Sequence, residues 1–247
     1  MDMKDKTATA IGKLIKEMPT GAVITPDSFP ESWSRNAITR TLSRLQKQGV
    51  ILRLQNGVYS KSKETRLGPA SSSPIEIISI KIEQSEDKCF GGLFLYNKLG
   101  LTTQIPSVIE ILNNKSSYNT KFGNTQIRYV RIRPKITSQT KKVIIILEVI
   151  KNIKLILDIE IKTTLHWITK AIKAFDKNEK KLLFNVSADY PPRVCAILGN
   201  ILSSIDIPLS NKLMKGLNQN SVYRVGSVAD HLKDSKKWKL LTSGPKQ

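Results

Sequence analysis

The chain has few of the cysteine and histidine residues that cross-link small secreted domains or bind metal ions. It contains two cysteines, Cys89 and Cys195, and two histidines, His166 and His231, among 247 residues. The cysteines form no C-x-x-C pair, so the sequence predicts neither a disulfide framework nor a thiolate zinc site, and both are expected to be inert core residues. A P-loop, a nucleophile elbow and a dinucleotide fingerprint are also missing. We therefore expect no cofactor and no bound metal.

Long apolar segments are missing as well. The longest apolar run, Val143–Leu147, stops at Glu148 and is far too short to cross a bilayer. The opening Met-Asp-Met-Lys-Asp-Lys places acidic residues where a signal peptide has a basic region followed by an apolar one. These features predict a cytoplasmic protein with no membrane partner.

Acidic residues are scarce relative to basic ones. The chain holds 40 lysines and arginines against 20 aspartates and glutamates, which gives a formal net charge of +20 and an isoelectric point near 10.0. The excess is spread along the chain rather than confined to a tail. Because such self-repulsion is commonly relieved by a polyanion, the composition favours a nucleic-acid ligand.

A small, polar, proline-flanked stretch at residues 67–74 has the composition of a connection between folded units. This stretch divides the chain into two predicted domains, and the helices and strands expected in them predict an α+β protein. Residues 1–66 would form a winged helix-turn-helix domain, and residues 75–247 a mixed α/β domain with a helical C-terminal part.

The first segment shows the order of elements that a winged helix requires. Apolar residues recur at helical spacing from Ala10 to Met18, and a short strand is expected at 22–24. Thr25 and Pro26 begin a brief helical turn, Ser34 is expected to cap a helix that runs to Gln48, and Asn56-Gly57 predicts the turn of a β-hairpin.

The helix after Ser34 carries the strongest functional signal. Ile38, Thr41, Leu42 and Leu45 fall on one side of the helical wheel, and the opposite side has only cationic or hydrogen-bonding side chains. Such a helix fits the major groove of DNA, although a solvated helix face is the simpler alternative. The candidates for base edges are Asn36, Thr39, Arg40 and Ser43. The candidates for the DNA backbone are Arg35, Arg44, Lys47, Arg53 and Lys61, and the predicted wing adds Gln55 and Asn56.

Three separated motifs resemble one known family. Arg44–Arg53, followed by Asn56–Tyr59, resembles the winged-helix signature of the AbiEi-type antitoxins. Leu99–Pro106 resembles the Leu-Gly-Leu-Thr-Thr-Gln segment of that family, and Tyr190–Gly199 resembles a late helical motif of an uncharacterised branch. The resemblance spans nearly the whole chain.

This resemblance implies a bacterial antitoxin of a type IV toxin–antitoxin, or abortive infection, system. The winged helix would repress transcription by binding repeats in the promoter of its own gene, as double-stranded DNA. The second domain would offset a nucleotidyltransferase-like toxin without a stable complex. A homodimer on DNA is compatible with this interpretation, although no long heptad seam predicts one.

The second domain gives weaker patterns. The alternating isoleucines after Pro74 suit a strand as well as a helix, and the family pattern favours the helix. Further helices are expected over residues 91–99, 139–153, 163–175 and 193–205, and strands over 107–112 and 125–133.

Two alternatives to the repressor remain open. The basic C-terminal half could be an RNA-binding or toxin-contacting module. Asp158-x-Glu160-x-Lys162 could also place two carboxylates and a lysine on one face of a strand, as a metal-dependent nuclease requires. A half-buried strand, or the approach to a helix, explains the same alternation without catalysis, so we expect no enzymatic activity.

Overall fold

The computed structural model of the chain describes residues 3–65, 68–70, 73–156 and 158–242. The chain divides into two compact units. The first comprises Met1–Gln84 and Lys121–Thr125, and the second comprises Ser85–Thr120 and Gln126–Gln247.

The first unit begins with two helices and a small sheet. In chain order its elements are helix α1 (Met3–Glu17), strand β1 (Val23–Ile24), a 3-10 turn (Pro26–Ser28), helix α2 (Arg35–Lys47) and strands β2 (Ile51–Gln55) and β3 (Val58–Lys61). The three strands are antiparallel, with β3 in the middle of the order β1-β3-β2. This order of helices and strands is the topology of a winged helix, so the prediction for this segment is confirmed.

One apolar stripe from each helix forms the core of the winged helix. Ile11 and Ile15 of α1 are buried together with Ile38 and Leu42 of α2 and Ile51 of β2. The residues recur every three or four positions because a helix turns once in about 3.6 residues. Their burial fixes the rotation of α2 about its own axis.

Two glycines shape the connections around β2. Gly49 follows α2 with φ 73°, and Gly57 lies in the hairpin turn with φ 70°. This left-handed backbone strains residues that have a Cβ atom, whereas glycine adopts it freely. The predicted Asn56-Gly57 hairpin turn is therefore confirmed.

The predicted linker differs from what the structure shows. Strand β4 (Lys63–Thr65) pairs with strand β5 (Gly68–Ala70), so part of the 67–74 segment has backbone hydrogen bonds to a neighbouring strand. Residues 66, 67, 71 and 72 lie outside the described chain. The division between the units falls after Gln84 rather than within 67–74.

Helix α3 (Pro74–Gln84) confirms the helical prediction for the alternating isoleucines. Ile77, Ile78 and Ile82 are buried, and their spacing belongs to one helical face. The ammonium of Lys81 lies 5.8 Å from the centre of the Phe122 ring, a contact that belongs to the first unit.

The second unit combines a mixed sheet with a series of helices, although Lys121–Thr125, where β8 ends and β9 begins, is grouped with the first unit. Its elements are β6 (Lys88–Gly91), α4 (Gly92–Lys98), β7 (Val108–Asn113), β8 (Tyr118–Phe122), β9 (Thr125–Arg131), α5 (Lys141–Lys151), a 3-10 turn (Ile153–Leu155), α6 (Ile161–Ala174), α7 (Lys177–Ser187), α8 (Pro192–Ser204), α9 (Leu209–Gly216), β10 (Tyr223–Arg224), a 3-10 helix (Gly226–His231) and β11 (Leu240–Leu241). The sheet has the order β6-β7-β9-β8; β7 and β9 run parallel, and β6 is antiparallel to β7. The chain as a whole is an α+β protein, as predicted.

The sequence patterns identified six of these elements and missed the others. The predicted strands at 107–112 and 125–133 correspond to β7 and β9, and the predicted helices to α4, α5, α6 and α8. Strands β6, β8, β10 and β11, helices α7 and α9 and the two 3-10 segments were not predicted. Four of the five residues of β8 are exposed, so β8 has no alternation of apolar and polar residues to reveal it.

A glycine in α8 lies directly beneath a tryptophan ring. Trp238 is almost wholly buried, and a Cβ atom added at Gly199 would fall within its indole. Glycine normally weakens the interior of a helix. Here it is required because the ring occupies the space of the missing side chain.

Among the described residues, no helix has both the length and the apolar character needed to cross a membrane.

Candidate nucleic-acid interface

Helix α2 presents two chemically distinct faces. Ile38, Thr41, Leu42 and Leu45 are buried, as the helical wheel predicts. The residues predicted to contact DNA all lie on the exposed remainder of the helix: Arg35, Asn36, Thr39, Arg40, Ser43, Arg44 and Lys47. The structure therefore brings the predicted base-edge and backbone candidates of α2 together on one exposed surface, which we call the α2 outer face.

The two ends of α2 are positioned by its neighbours. Ser34 occupies the N-cap position, and its carbonyl accepts from the amide of Ile38 at 3.0 Å, but its side chain makes no capping hydrogen bond. The cap expected from the Ser34 hydroxyl is thus not formed. At the other end, the amide of Val50 donates to the carbonyl of Leu45 at 3.1 Å and turns the chain into β2.

The α2 outer face is positive and contains no carboxylate of its own. Arg40, Arg44 and Lys47 are exposed, and among the described residues none of the three forms an ion pair. Like charges held on one helix repel one another. An anionic partner would relieve that repulsion.

Arg35 differs from the other cations because it has a partner. Its Nη2 atom lies 2.6 Å from Oδ1 of Asp27, which belongs to the preceding 3-10 turn. The two side chains remain 79% and 75% exposed, so water and salt weaken the pair. Such a pair can be exchanged for a phosphate contact. Asp27 has no local sequence signal that relates it to Arg35, because it lies eight residues away on another element.

The hydroxyls of α2 are used differently on its two faces. Thr41 is buried and donates its hydroxyl to the carbonyl of Ala37 at 2.8 Å, which satisfies a polar group inside the core. Thr39 is exposed and donates to the carbonyl of Arg35 at 2.9 Å. The Thr39 oxygen can still accept a hydrogen bond from a ligand.

Two residues of the predicted wing contact each other. The guanidinium of Arg53 donates to the side-chain oxygen of Asn56, so these two wing residues hold each other across the hairpin turn. The side chain of Gln55 lies outside the described structure. Arg53 and Asn56 are both exposed.

The structure gives Lys61 a role that differs from the predicted backbone contact. Its ammonium donates to the carbonyls of Lys16 and Met18, each at 2.5 Å. These carbonyls close α1, where the helix dipole is negative and a cation is favourable. Lys61 thus caps α1 from β3. Its partners lie more than 40 residues earlier in the chain, and no local pattern signals such a contact.

The strand that the nuclease alternative requires is not formed over Asp158, Glu160 and Lys162, and these residues instead lead into a helix. Asp158 lies in a bend, Glu160 is the N-cap of α6 and Lys162 lies in the first turn of that helix. The face that a nuclease would need therefore does not exist. Among the described residues, no group of three histidine, cysteine or acidic side chains is placed to hold a metal ion.

Asp158 instead binds two neighbouring threonines. Its carboxylate accepts from the Thr102 hydroxyl at 2.5 Å and from the Thr103 amide and hydroxyl at 2.6 and 2.7 Å. These donors, led by the Thr102 hydroxyl, hold the pKa of Asp158 well below its usual range. We call this arrangement the threonine clamp. It gives the Leu99–Pro106 motif a structural role within the second unit.

The two cysteines lie in surroundings that suppress their reactivity. Burial raises the pKa of Cys89 to about 12. The pKa of Cys195 is also raised by burial, and its thiol donates to the carbonyl of Ser187 at 3.1 Å. Because the thiolate is the reactive form, both positions are poorly suited to nucleophilic chemistry.

The fold and the α2 outer face define a class: an α+β protein with an N-terminal winged helix. The chain belongs to DUF6088, a family of unknown function whose model matches residues 10–182. Its fold is similar to that in the crystal structure of the Rv2827c protein from Mycobacterium tuberculosis, with a TM-score of 0.56 at 10% sequence identity. That similarity covers 94% of this chain and 89% of the other. No curated protein matches the chain.

Proposed function

We propose that this protein is a cytoplasmic, sequence-specific DNA-binding repressor. The observation that carries the proposal is the α2 outer face, which is exposed, cationic and free of carboxylates on a winged helix. In helix-turn-helix proteins the corresponding helix enters the major groove. Occupancy of an operator by this helix would exclude RNA polymerase.

The residues of the α2 outer face divide by chemistry into two roles. Arg40 can pair with the O6 and N7 atoms of guanine, and Asn36 can pair with adenine; Thr39 and Ser43 can bond to either base. Arg44, Lys47 and Arg35 would hold phosphates, which position the protein without reading sequence. Arg53 and Asn56 would extend the contact along the wing.

We further propose that the operator is repeated DNA in the promoter of the protein's own gene and that the protein is the antitoxin of a nucleotidyltransferase-like toxin. This part rests on the AbiEi resemblance of the three motifs. The test is to identify the neighbouring genes and to co-express with this protein any nucleotidyltransferase that they encode. Restored growth without co-purification supports the antitoxin role, whereas unrelieved toxicity contradicts it.

The test of DNA binding compares two substitutions on two duplexes by fluorescence anisotropy. One duplex carries the promoter repeats, and the other has the same composition in shuffled order. Arg40→Ala should weaken promoter binding by about 1–3 kcal/mol and change shuffled binding less, because it removes a base contact. Lys47→Ala should weaken binding to both duplexes equally. It should also reduce by about one unit the salt slope, which is the slope of the logarithm of the binding constant against the logarithm of the salt concentration.

Lys13→Ala is the matched control, since Lys13 is an exposed lysine on α1 rather than on the α2 outer face. If Arg40→Ala and Lys47→Ala bind both duplexes as the wild type does, the proposal is wrong. Crosslinks to RNA that map beyond residue 135 would instead favour the alternative, an RNA-binding or toxin-contacting module.

A further inference from the structure

We propose that a cavity in the second unit binds the phosphate group of a small phosphorylated molecule. The cavity has a volume of about 200 Å³ and is formed by the end of α5 with the 3-10 turn after it, the first turn of α8 and the segment from β10 into the following 3-10 helix. We call it the cationic cavity. The proposal is independent of DNA binding, because no residue of the winged helix lines it.

The side chains that line the cationic cavity carry positive charge and no negative charge. Four cations line the cationic cavity, namely Lys151, Lys154, Arg193 and Arg224, and no carboxylate does. Lys151 is neutralised by Glu148, whose two carboxylate oxygens each lie 3.1 Å from its ammonium.

That leaves three positive charges. Among the described residues, Lys154, Arg193 and Arg224 have no ion-pair partner. Because the three residues line one cavity, an anion bound there would be attracted by all of them and would reduce any repulsion among them. The guanidinium groups of two arginines can each bond a phosphate through two parallel N–H donors.

The three cations are held by separate, ordered elements. Arg193 belongs to the first turn of α8, and Lys154 lies in the 3-10 turn after α5. Arg224 belongs to β10, whose backbone pairs with β11. A site assembled from rigid elements loses less entropy when it binds a ligand than one built on loops.

The position of Lys154 depends on a glycine. A Cβ atom at Gly226 would lie 3.0 Å from the Lys154 ammonium nitrogen and 3.2 Å from its Cε atom. Gly226 also has φ 57°, a backbone conformation that favours glycine. The missing side chain thus makes room for the lysine head beside the cavity.

The size and the apolar walls indicate a small ligand. Ile197, Val225 and Val228 line the cavity together with the cations. A volume of about 200 Å³ is below the roughly 300–1,000 Å³ typical of drug-sized ligands. The cavity therefore fits a phosphate with a small organic group, rather than the extended backbone of a nucleic acid.

The experiment is calorimetric titration of the full chain at constant ionic strength with inorganic phosphate and with glycerol 3-phosphate, which carries a small organic group. We expect saturable binding of at least one of the two. Arg193→Gln and Arg224→Gln should each weaken it by roughly tenfold or more, because each removes a charge-assisted contact. Lys154→Gln provides a third variant, and thermal melting verifies that each variant is folded.

Arg131→Gln is the matched control, because Arg131 is an exposed arginine of the same unit that does not line the cavity. Equal loss in the control would mean general surface charge and would overturn the proposal. So would the absence of binding by both probes, or undiminished binding in folded Arg193→Gln and Arg224→Gln. A result in which these two variants lose only duplex DNA binding would also overturn it.

The outcome is separable from that of the proposed function. Loss of phosphate binding in Arg193→Gln should leave promoter binding intact, whereas Arg40→Ala should leave phosphate binding intact. Each proposal can therefore fail while the other stands.

Discussion

At the scale of single residues, Arg35 already has an anionic partner within its own chain. Asp27 holds the guanidinium at 2.6 Å while both side chains stay exposed to water. A phosphate that approaches the start of α2 must compete with this carboxylate. In the proposed complex, the pair would restrain DNA binding at the same position where Arg35 would promote it.

Asp27→Asn should strengthen binding to both the promoter and the shuffled duplex. The substitution removes a negative charge from the DNA side of the molecule and releases Arg35 for a phosphate, so the salt slope should rise by about one unit. The measurement is anisotropy over a series of salt concentrations. Glu17→Gln, which removes an exposed acid of α1, is the control; unchanged affinity in Asp27→Asn would contradict the exchange of partners.

The threonine clamp predicts a pH-dependent contribution to stability. The hydrogen bonds from Thr102 and Thr103 lower the pKa of Asp158 in the folded state below its unfolded value. The contribution is therefore present above the unfolded pKa, about 4, and is lost as the pH falls towards the folded value.

Asp158→Asn should melt at a lower temperature than the wild type at pH 7, and the difference should shrink as the pH falls below about 4. Asp230→Asn is the control, because Asp230 is an exposed acid of the same unit. A difference in melting temperature that stays constant from pH 7 to the acid limit would contradict the clamp.

At the scale of elements, helix α1 is completed by a side chain from β3. Lys61 donates to the carbonyls of Lys16 and Met18, so the last strand of the winged helix closes its first helix. The same strand also holds the Gly21 amide through the Lys61 carbonyl at 3.1 Å. These contacts bind the hairpin to the end of α1.

Lys61→Met should lower the free energy of unfolding by about 1–2 kcal/mol, because the carbonyls at the end of α1 lose a cationic donor. Urea denaturation measures the change, and Lys13→Met removes an exposed lysine of α1 for comparison. The salt slope of DNA binding should stay that of the wild type. If Lys61→Met has wild-type stability and a shallower salt slope, the capping role is contradicted and Lys61 is a phosphate contact instead.

The elements that the sequence predicted are those with strong local signals. The spacing of Ile38, Leu42 and Leu45 identified both faces of α2, and Asn56-Gly57 identified the hairpin. Most of β8 is exposed, so it has no alternation of apolar and polar residues. Strand β6 is too short for such an alternation to be recognised. The alternating charge around Asp158 is compatible with a strand or with the approach to a helix, whereas hydrogen bonds from Thr102 and Thr103 decide its position.

The cationic cavity was not predictable for a related reason. Lys154, Arg193 and Arg224 are separated by about 30 residues or more in the sequence and meet only in the folded second unit. Each of them alone looks like an ordinary exposed cation. Local patterns predict which face of an element is exposed, but not which distant residues share that surface.

At the scale of the whole molecule, the net charge of +20 predicts a second, sequence-independent component of DNA binding. Lysines and arginines that neutralise phosphates release counterions, so this component weakens steeply as salt rises. The Arg40→Ala variant should retain it, since that variant keeps nearly all of the positive charge.

The wild type and Arg40→Ala should therefore bind the shuffled duplex with similar affinity at low salt, and both should lose that binding by several orders of magnitude between about 50 and 200 mM salt if six or more phosphates are contacted. Anisotropy with the shuffled duplex measures both effects. Binding that does not change with salt would mean that phosphate contacts do not contribute, which would contradict a role for the basic surface.

The packing of Trp238 onto Gly199 also constrains how this protein can diverge. An alanine at position 199 would have to displace a buried indole, and a smaller residue at position 238 would leave a hollow over α8. Either substitution alone should destabilise the fold. A larger residue at position 199 combined with a smaller one at position 238 could fill the volume that the indole now occupies. Relatives that share this fold should therefore inherit the glycine and the tryptophan together or replace them together.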